Sequence, residues 1–377
     1  MLRLRGWANI SKMKKISKKV LVAMSGGVDS SVAALLLYEA GYDVTGATML
    51  LGVHQDSGQP GRFTDEAASE AAAVCAQLSI RHLTLSFADL MEEKVINKFI
   101  SEYSHGRTPN PCVDCNRHIK FGALVKKARE LGFDYLATGH YARIEKDNNT
   151  WHLLRPKDKI KDQSYFLYVI RAKDLPFILF PLGDLSKDEV RKKANKTGLK
   201  TAHRTESQDI CFVPEGKYGQ VFSDRGIVST PGDILDMRGN ILGRHKGIIH
   251  YTIGQRGGLG VSAKHPLYVL RVDAQENQVV VGRKEDLLAS GLIAGELNFL
   301  SDNFPARLEA KIRYRKKPAP CIVKRENEKM IVEFKEKQEA ITPGQAVVFY
   351  GGDEVLGGGK IESVIRGRPG NDFVILV

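Results

Sequence analysis

The hydrophobic pattern divides the chain into two regimes. From Val20 to about His140, short apolar runs of strand length alternate with longer stretches whose apolar positions recur at helical spacing. Val20–Ala23 predicts a buried strand, and Asp29 to about Ala40 an apolar helix. Tyr42–Leu51 predicts a strand, Thr64–Leu78 an Ala-rich helix around Cys75, and Arg81–Phe87 a strand. Ala88 to about Tyr103 and Ile119–Leu131 predict helices, and Phe133–Thr138 a further strand. Alternation of this kind predicts an α/β fold with a doubly wound parallel sheet, whose ligands sit at the carboxyl ends of the strands. One segment interrupts it. His105–His118, HGRTPNPCVDCNRH, carries two prolines and two asparagines and is read as a loop, too long for a simple connection.

Beyond His140 the pattern loosens. Ala142–Lys146 and Trp151–Arg155 predict a hairpin across Asp147-Asn148-Asn149, and SYFLYVI after Lys161-Asp162-Gln163 is apolar enough to be buried. Ser186-Lys187-Asp188-Glu189 fits a capping box that opens a basic helix to about Thr197. HRTESQDICF then places Cys211 after a polar loop, and Gly216–Gly226 predicts a short helix. After about Pro231 short strands recur between turns, as in Pro266–Val272 and Gln278–Gly282, while GQRGGLG at 254–260 is too rich in glycine for a regular element. The expected organisation is a disordered basic arm at 1–17, an α/β domain at 18–226, a small mixed central domain at 227–296 and a β-barrel at 297–377.

Composition adds two constraints. The 377 residues carry a net charge of +12, which favours a polyanionic partner, but seven of those charges lie in the first 20 residues. The arm has no apolar core of a secretory signal; an organelle transit peptide or a start at Met13 are its other readings. The body therefore gives only modest support for nucleic acid. No apolar run reaches the roughly 18 residues of a membrane span, so no membrane association is expected. Five cysteines, an odd number without a signal segment, point to a reducing, cytoplasmic setting.

The chemistry concentrates at Val20–Ser31, VLVAMSGGVDSS. A strand, a glycine turn and a helix start leave unpaired N–H groups converging on one point, which is an anion site. No Lys-Ser/Thr follows the second glycine, so this is not a Walker A loop. It resembles the PP-loop of ATP pyrophosphatases, which cleave ATP to AMP and pyrophosphate. An ordinary strand-to-helix turn is the plain alternative.

Taken with GRTPNP…CN at 106–116, IKF at 119–121, ATGHYAR at 137–143, KDQSYFLY at 161–168, SQDICF at 207–212, TIGQRGGLG at 252–260, RYR at 313–315, TPGQAVVFY at 342–350 and LGGGKI at 356–361, the chain resembles the tRNA-specific 2-thiouridylase family, MnmA, over nearly its whole length. The resemblance implies a PP-loop ATPase domain, a central domain and a C-terminal β-barrel. It implies that ATP, with Mg²⁺, adenylates the C2 oxygen of the wobble uridine of certain tRNAs, which sulfur then replaces. Ala23, Met24, Ser25, Gly26, Gly27, Val28, Asp29 and Ser30 would grip ATP, with Met49 and Gly139 lining the pocket. Asn110, Pro111, Cys112, Lys161, Asp162, Gln163, Arg313 and Tyr314 would touch tRNA. Cys115 would be the nucleophile and Cys211 the persulfide carrier, supplied by a cysteine desulfurase or a sulfur-relay protein. Both thiols then need lowered pKa values, for which Lys120 and Arg117 flank Cys115.

The chain departs from the family pattern at Cys112, where the better-known form has an aspartate proposed as general acid/base. Three readings stay open: Cys112 is incidental; Cys112, Cys115 and Cys211 ligate a [4Fe–4S] cluster; or they bind zinc with His105 or His118. Rivals of other kinds are a PP-loop ligase with no use for the cysteines, and a non-catalytic tRNA-binding or iron–sulfur carrier protein. His140 is either packed at a strand end or a participant.

Overall fold

The computed structural model describes residues 18–52, 65–202, 210–213, 218–367 and 374–376. The basic arm and most of HRTESQDICF lie outside the described residues. The chain clusters into two units. One holds Met1–Glu92, Asp114–Phe212 and Asp353–Val355; the other holds Glu93–Val113, Val213–Gly352 and Leu356–Val377.

The first unit is built on parallel strands β1 (Lys19–Ala23), β2 (Asp43–Leu50), β3 (Arg81–Ser86) and β4 (Tyr135–Thr138), with Ile178–Leu179 at the edge. The order is β3-β2-β1-β4 and then Ile178–Leu179, every neighbouring pair parallel. Val20, Leu21 and Val22 are all fully buried, as a strand covered on both faces requires. Helix α1 (Val28–Glu39) follows β1 and is buried from Val28 through Leu37 with the exception of Asp29, packing with α2 (Asp65–Gln77) into the same core. Cys75 belongs to that core, as expected: a Cβ at Gly46 would run into its Sγ, and burial pushes its thiol up to about 11. The order of strand addition reverses at β1, with β2 and β3 laid to one side and β4 to the other, so the carboxyl ends of β1 and β4 form the crevice where open α/β sheets bind ligands.

The hairpin forms as Arg143–Asp147 against Thr150–Leu154, turning on Asn148 and Asn149 at φ +43° and +73°, a two-residue turn that asparagine tolerates. Ser186 caps the helix Lys187–Lys196 with a full capping box.

The His105–His118 loop needs correction. Pro111–Cys115 is an α-helix, continued by a π-helical stretch, Asn116–Ala123. Proline suits a first helical position because its missing N–H would be unpaired there in any case. Asn110 precedes it as a cap, with the Val113 N–H donating to its carbonyl at 3.0 Å and to its Oδ1 at 3.4 Å. Two residue types read as helix breakers are thus helix starters.

In the second unit a four-stranded sheet runs Tyr268–Asp273, Gln278–Gly282, Gly232–Leu235, Ile241–His245, around Ile234, Val269, Val279 and Val281. Beyond it Leu288–Phe299, Lys329–Glu339, Ala319–Glu326, Arg307–Lys311, Ala346–Gly351 and Glu354–Arg366 form an antiparallel barrel, closed where the first strand pairs with the last. Its first strand begins at Leu288, before the expected start at 297.

Candidate functional site

At the end of β1 the chain turns through Gly26, at φ +70°, and Gly27, which caps α1 at φ −94° and ψ 162°. Serine hydroxyls hold this turn from within. Ser30 Oγ accepts from the Ser25 N–H at 3.2 Å and donates to the Gly27 carbonyl at 3.1 Å; Ser31 Oγ donates to the same carbonyl at 2.9 Å. With the hydroxyls turned onto the loop, the first-turn N–H groups of α1 are the donors its geometry offers to an anion. Met24 is anchored by its N–H to the Ala47 carbonyl at 2.8 Å, and Met49 is buried at the end of β2.

Gly139, just past β4, closes the other side. A Cβ there would lie 2.7 Å from Ser30 N and 2.8 Å from the Asp29 carbonyl carbon, so only glycine lets this backbone pass the start of α1. The next residue, His140, is half-buried, packed between Phe121 and Phe180, with Nδ1 2.8 Å from Thr138 Oγ1. Burial, aided by Lys120, lowers its pKa well below the ordinary imidazole value, which holds it neutral. Both observations favour the packed reading.

Asp29 points back into the protein. Tyr141 Oη donates to its Oδ1 at 2.8 Å, and Lys187 Nζ donates to Oδ1 and Oδ2 at 2.8 and 2.9 Å. Asp29 thus fastens the loop in this state. Sequence reasoning placed Lys187 only as part of a capping box. A signal was present: a lysine at a helix N-terminus opposes the helix dipole and calls for a carboxylate partner.

The cysteines differ in surroundings. Cys115 is buried and Cys112 exposed, with Cys211 half-buried after the undescribed 203–209; no disulfide occurs among the described residues. Burial pushes the Cys115 thiol up from its ordinary value, with Lys120 opposing and Asp114 adding to the rise. Lys120 acts in the expected direction, but desolvation outweighs it, so the anticipated low-pKa thiol is not present in this state. Among the described residues no group of three His, Cys, Asp or Glu side chains is placed to hold a metal ion.

Of the residues carried over for tRNA, Asp162 is buried, taking Arg155 Nε at 2.9 Å and the Ser164 N–H at 3.0 Å. Gln163 Oε1 accepts the Tyr141 N–H at 2.8 Å, and Lys161 is half-buried beside them. Asn110 is the helix cap before Pro111 and Cys112. Arg313 Nη2 donates to the carbonyls of Ile253 and Ala340 at 3.0 and 2.9 Å and to Thr342 Oγ1 at 2.8 Å, and the Tyr314 ring lies 5.5 Å from Lys311 Nζ. Within the same unit Gln345 Nε2 donates to the carbonyls of Thr108 and Pro109, and the Thr108 N–H to the Pro343 carbonyl at 3.0 Å. GRTPNP is thereby clamped to the TPGQ turn of the barrel, a connection between motifs that the sequence did not reveal.

A parallel sheet with a glycine-turn anion site at its switch point, followed by a small β-sheet domain and a closed barrel, defines a nucleotide-binding α/β protein with two β modules. Three family models match it in that order: the tRNA methyl transferase HUP domain over residues 18–215, the tRNA methyl transferase PRC-barrel domain over 220–283 and the aminomethyltransferase beta-barrel domain over 289–361. The chain is 51% identical to tRNA-specific 2-thiouridylase MnmA 1 of Syntrophus aciditrophicus, over 93% of this chain and 94% of that one. It is 47% identical to tRNA-specific 2-thiouridylase MnmA of Geobacter metallireducens, over 93% and 99%. The chain belongs to the tRNA-specific 2-thiouridylase family. Among the described residues no helix is long and apolar enough to cross a membrane.

Proposed function

We propose that the chain is an ATP-dependent tRNA uridine 2-sulfurtransferase of the cytoplasm. The observation that carries the ATP half is the SGG turn at the β1/β4 switch point, its helix start opposed by Gly139 and its Asp29 fastened by Lys187 and Tyr141. ATP binds over Ala23–Ser30 with Met49 and Gly139 at its edges, and Mg²⁺ enters with the triphosphate. The uracil C2 oxygen attacks the α-phosphate, pyrophosphate leaves, and the poor leaving group becomes an adenylate. RNA contacts fall to Asn110–Cys112, Lys161–Gln163 and the Arg313–Tyr314 pair.

The sulfur half rests on Cys115 and Cys211. A desulfurase or relay protein loads Cys211 as a persulfide. Its terminal sulfur attacks C2 and AMP departs. Cys115 thiolate then attacks the Cys211 sulfur, releasing 2-thiouridine and leaving a Cys115–Cys211 disulfide for an external thiol to reduce. Hydrosulfide released by Cys115 before the attack on C2 gives the same products.

The test is a two-part assay on the full chain: pyrophosphate release from ATP with and without tRNA, and 2-thiouridine in digested tRNA. Pyrophosphate release that needs tRNA, with thiolation abolished in Cys115→Ser and Cys211→Ser, is expected. Thiolation that survives both substitutions refutes the sulfur route. Absence of tRNA-dependent pyrophosphate release supports the non-catalytic carrier instead.

A further inference from the structure

We infer that Asp158 and Tyr141 are positioning residues that couple the Lys161–Gln163 segment to the ATP loop through Asp29. The inference rests on the reading above, in which RNA meets that segment and ATP meets the glycine turn.

Two hydrogen-bonded routes start in the segment and end on one carboxylate. In the first, Gln163 and Tyr141 exchange bonds: the Tyr141 N–H donates to Gln163 Oε1 at 2.8 Å, and the Gln163 N–H donates to the Tyr141 carbonyl at 3.1 Å. The buried Tyr141 ring then carries its hydroxyl to Asp29 Oδ1 at 2.8 Å. In the second, Asp158 Oδ1 accepts the N–H groups of Ile160 and Lys161 at 3.0 and 3.4 Å, while its Oδ2 accepts the Lys187 N–H at 3.0 Å. Lys187 is buried and places Nζ within 2.9 Å of both Asp29 oxygens.

The geometry has a direct consequence. Asp29 lies in the first turn of α1, so its partners fix the pitch of the helix start that faces the phosphates. Tyr141 and Lys187 are each tied by backbone groups to the 158–163 segment, and each is packed tightly enough that it moves with its anchor. A triphosphate at that helix start brings a second anion to the same lysine, giving Lys187 two arrangements, on Asp29 or shared with phosphate. RNA contact at Lys161–Gln163 biases between them. Asp158 and Tyr141 touch neither substrate; they transmit position.

Coupling of this kind is reciprocal: tRNA changes nucleotide affinity by the factor by which nucleotide changes tRNA affinity. The experiment measures the Kd of α,β-methylene-ATP by calorimetry on the full chain, with and without saturating tRNA, and the converse titration. Wild type is expected to show a factor of about 5 or more. Tyr141→Phe, which removes one oxygen and leaves the ring, and Asp158→Ala should both bring the factor towards 1. Asp158→Asn, which keeps an acceptor, should retain part of it. tRNA affinity without nucleotide should stay within about twofold in all three. A purely structural role would lower thermal stability and both affinities while leaving the coupling factor at its wild-type value, and that result overturns the inference. A wild-type factor of 1 with both ligands bound also overturns it, leaving the functional reading standing. Failure of wild type to bind tRNA or the nucleotide removes that reading, and the coupling with it.

Discussion

Gly27→Ala separates what the glycine turn does for the fold from what it does for a ligand. At φ −94° and ψ 162° Gly27 has an ordinary extended backbone that alanine adopts. A Cβ there would meet only Ser25 Oγ, at 3.5 Å, which is normal contact. The stability change is therefore small: alanine is a poorer helix cap than glycine, at about 0.5–1 kcal/mol, and a less flexible unfolded chain returns about 0.4–1 kcal/mol. Thermal melting should shift by less than about 4 °C. The new methyl, however, stands at the helix start where phosphate oxygens approach the N–H groups. Displacing one charge-assisted contact costs about 1.5–3 kcal/mol, which weakens binding roughly 10- to 100-fold. Gly139→Ala is the contrasting case. Its methyl would sit 2.7 Å from Ser30 N and 2.8 Å from the Asp29 carbonyl carbon, against backbone that has to move. Overpacking of this kind costs about 1–3 kcal/mol, so here melting falls as well as affinity. Scanning fluorimetry and calorimetry with α,β-methylene-ATP read both quantities. Unchanged nucleotide affinity in Gly27→Ala would refute the placement of phosphate at this turn.

Three further outcomes follow from particular contacts. Lys187→Met removes the ammonium from Asp29 and leaves the Tyr141 hydroxyl on its Oδ1, which should lower tRNA-dependent AMP formation at least about tenfold, with a lower melting temperature; AMP formation at the wild-type rate would remove Lys187 from the ATP site. Because burial raises the Cys115 pKa and Lys120 lowers it, alkylation of Cys115 should climb with pH past the ordinary thiol value of about 8.5, and Lys120→Met should push the midpoint higher; peptide-resolved labelling by mass spectrometry shows either this or a midpoint below 8.5, which contradicts the burial argument. Arg313→Ala takes a donor from the Ile253 carbonyl and from Thr342 Oγ1, while the Ala340 carbonyl keeps the Thr342 hydroxyl at 2.9 Å, so melting should fall by a few degrees, and as an RNA contact its loss should reduce the salt slope of tRNA binding by about one; an unchanged slope with lowered stability would make Arg313 a structural brace and remove it from the RNA contacts.

The parallel sheet and the glycine turn were legible in the sequence because both are local: an unbroken apolar run for a doubly covered strand, and adjacent glycines before a helix. The barrel was legible for the same reason, as strand after strand with period-two burial. Pro111–Cys115 was misread because proline and asparagine were weighed as breakers, when their order, Asn then Pro, is that of a helix start. The Asp29–Lys187 pair was out of reach of pattern, since its members stand 158 positions apart and only the folded sheet brings them together. The interleaving of the two units, with Glu93–Val113 in the second, leaves no trace in periodicity either.

Burial is the quantity that most changes the chemistry and that a sequence expresses least. Lys120 and Arg117 beside Cys115 suggest an activated thiolate when charges alone are counted. Desolvation reverses the balance and leaves a protonated, protected thiol in the substrate-free chain. On the proposed chemistry this is an advantage, because a standing, exposed thiolate is open to oxidation before an adenylate exists to receive sulfur. It also sets a requirement. Cys115 must become a thiolate to attack Cys211, so the step needs its burial relieved, with Lys120 already placed to hold the charge that forms. Any change that exposes Cys115 without tRNA should therefore raise its reactivity towards external electrophiles while gaining nothing in thiolation, which distinguishes an access requirement from a defect of the nucleophile itself.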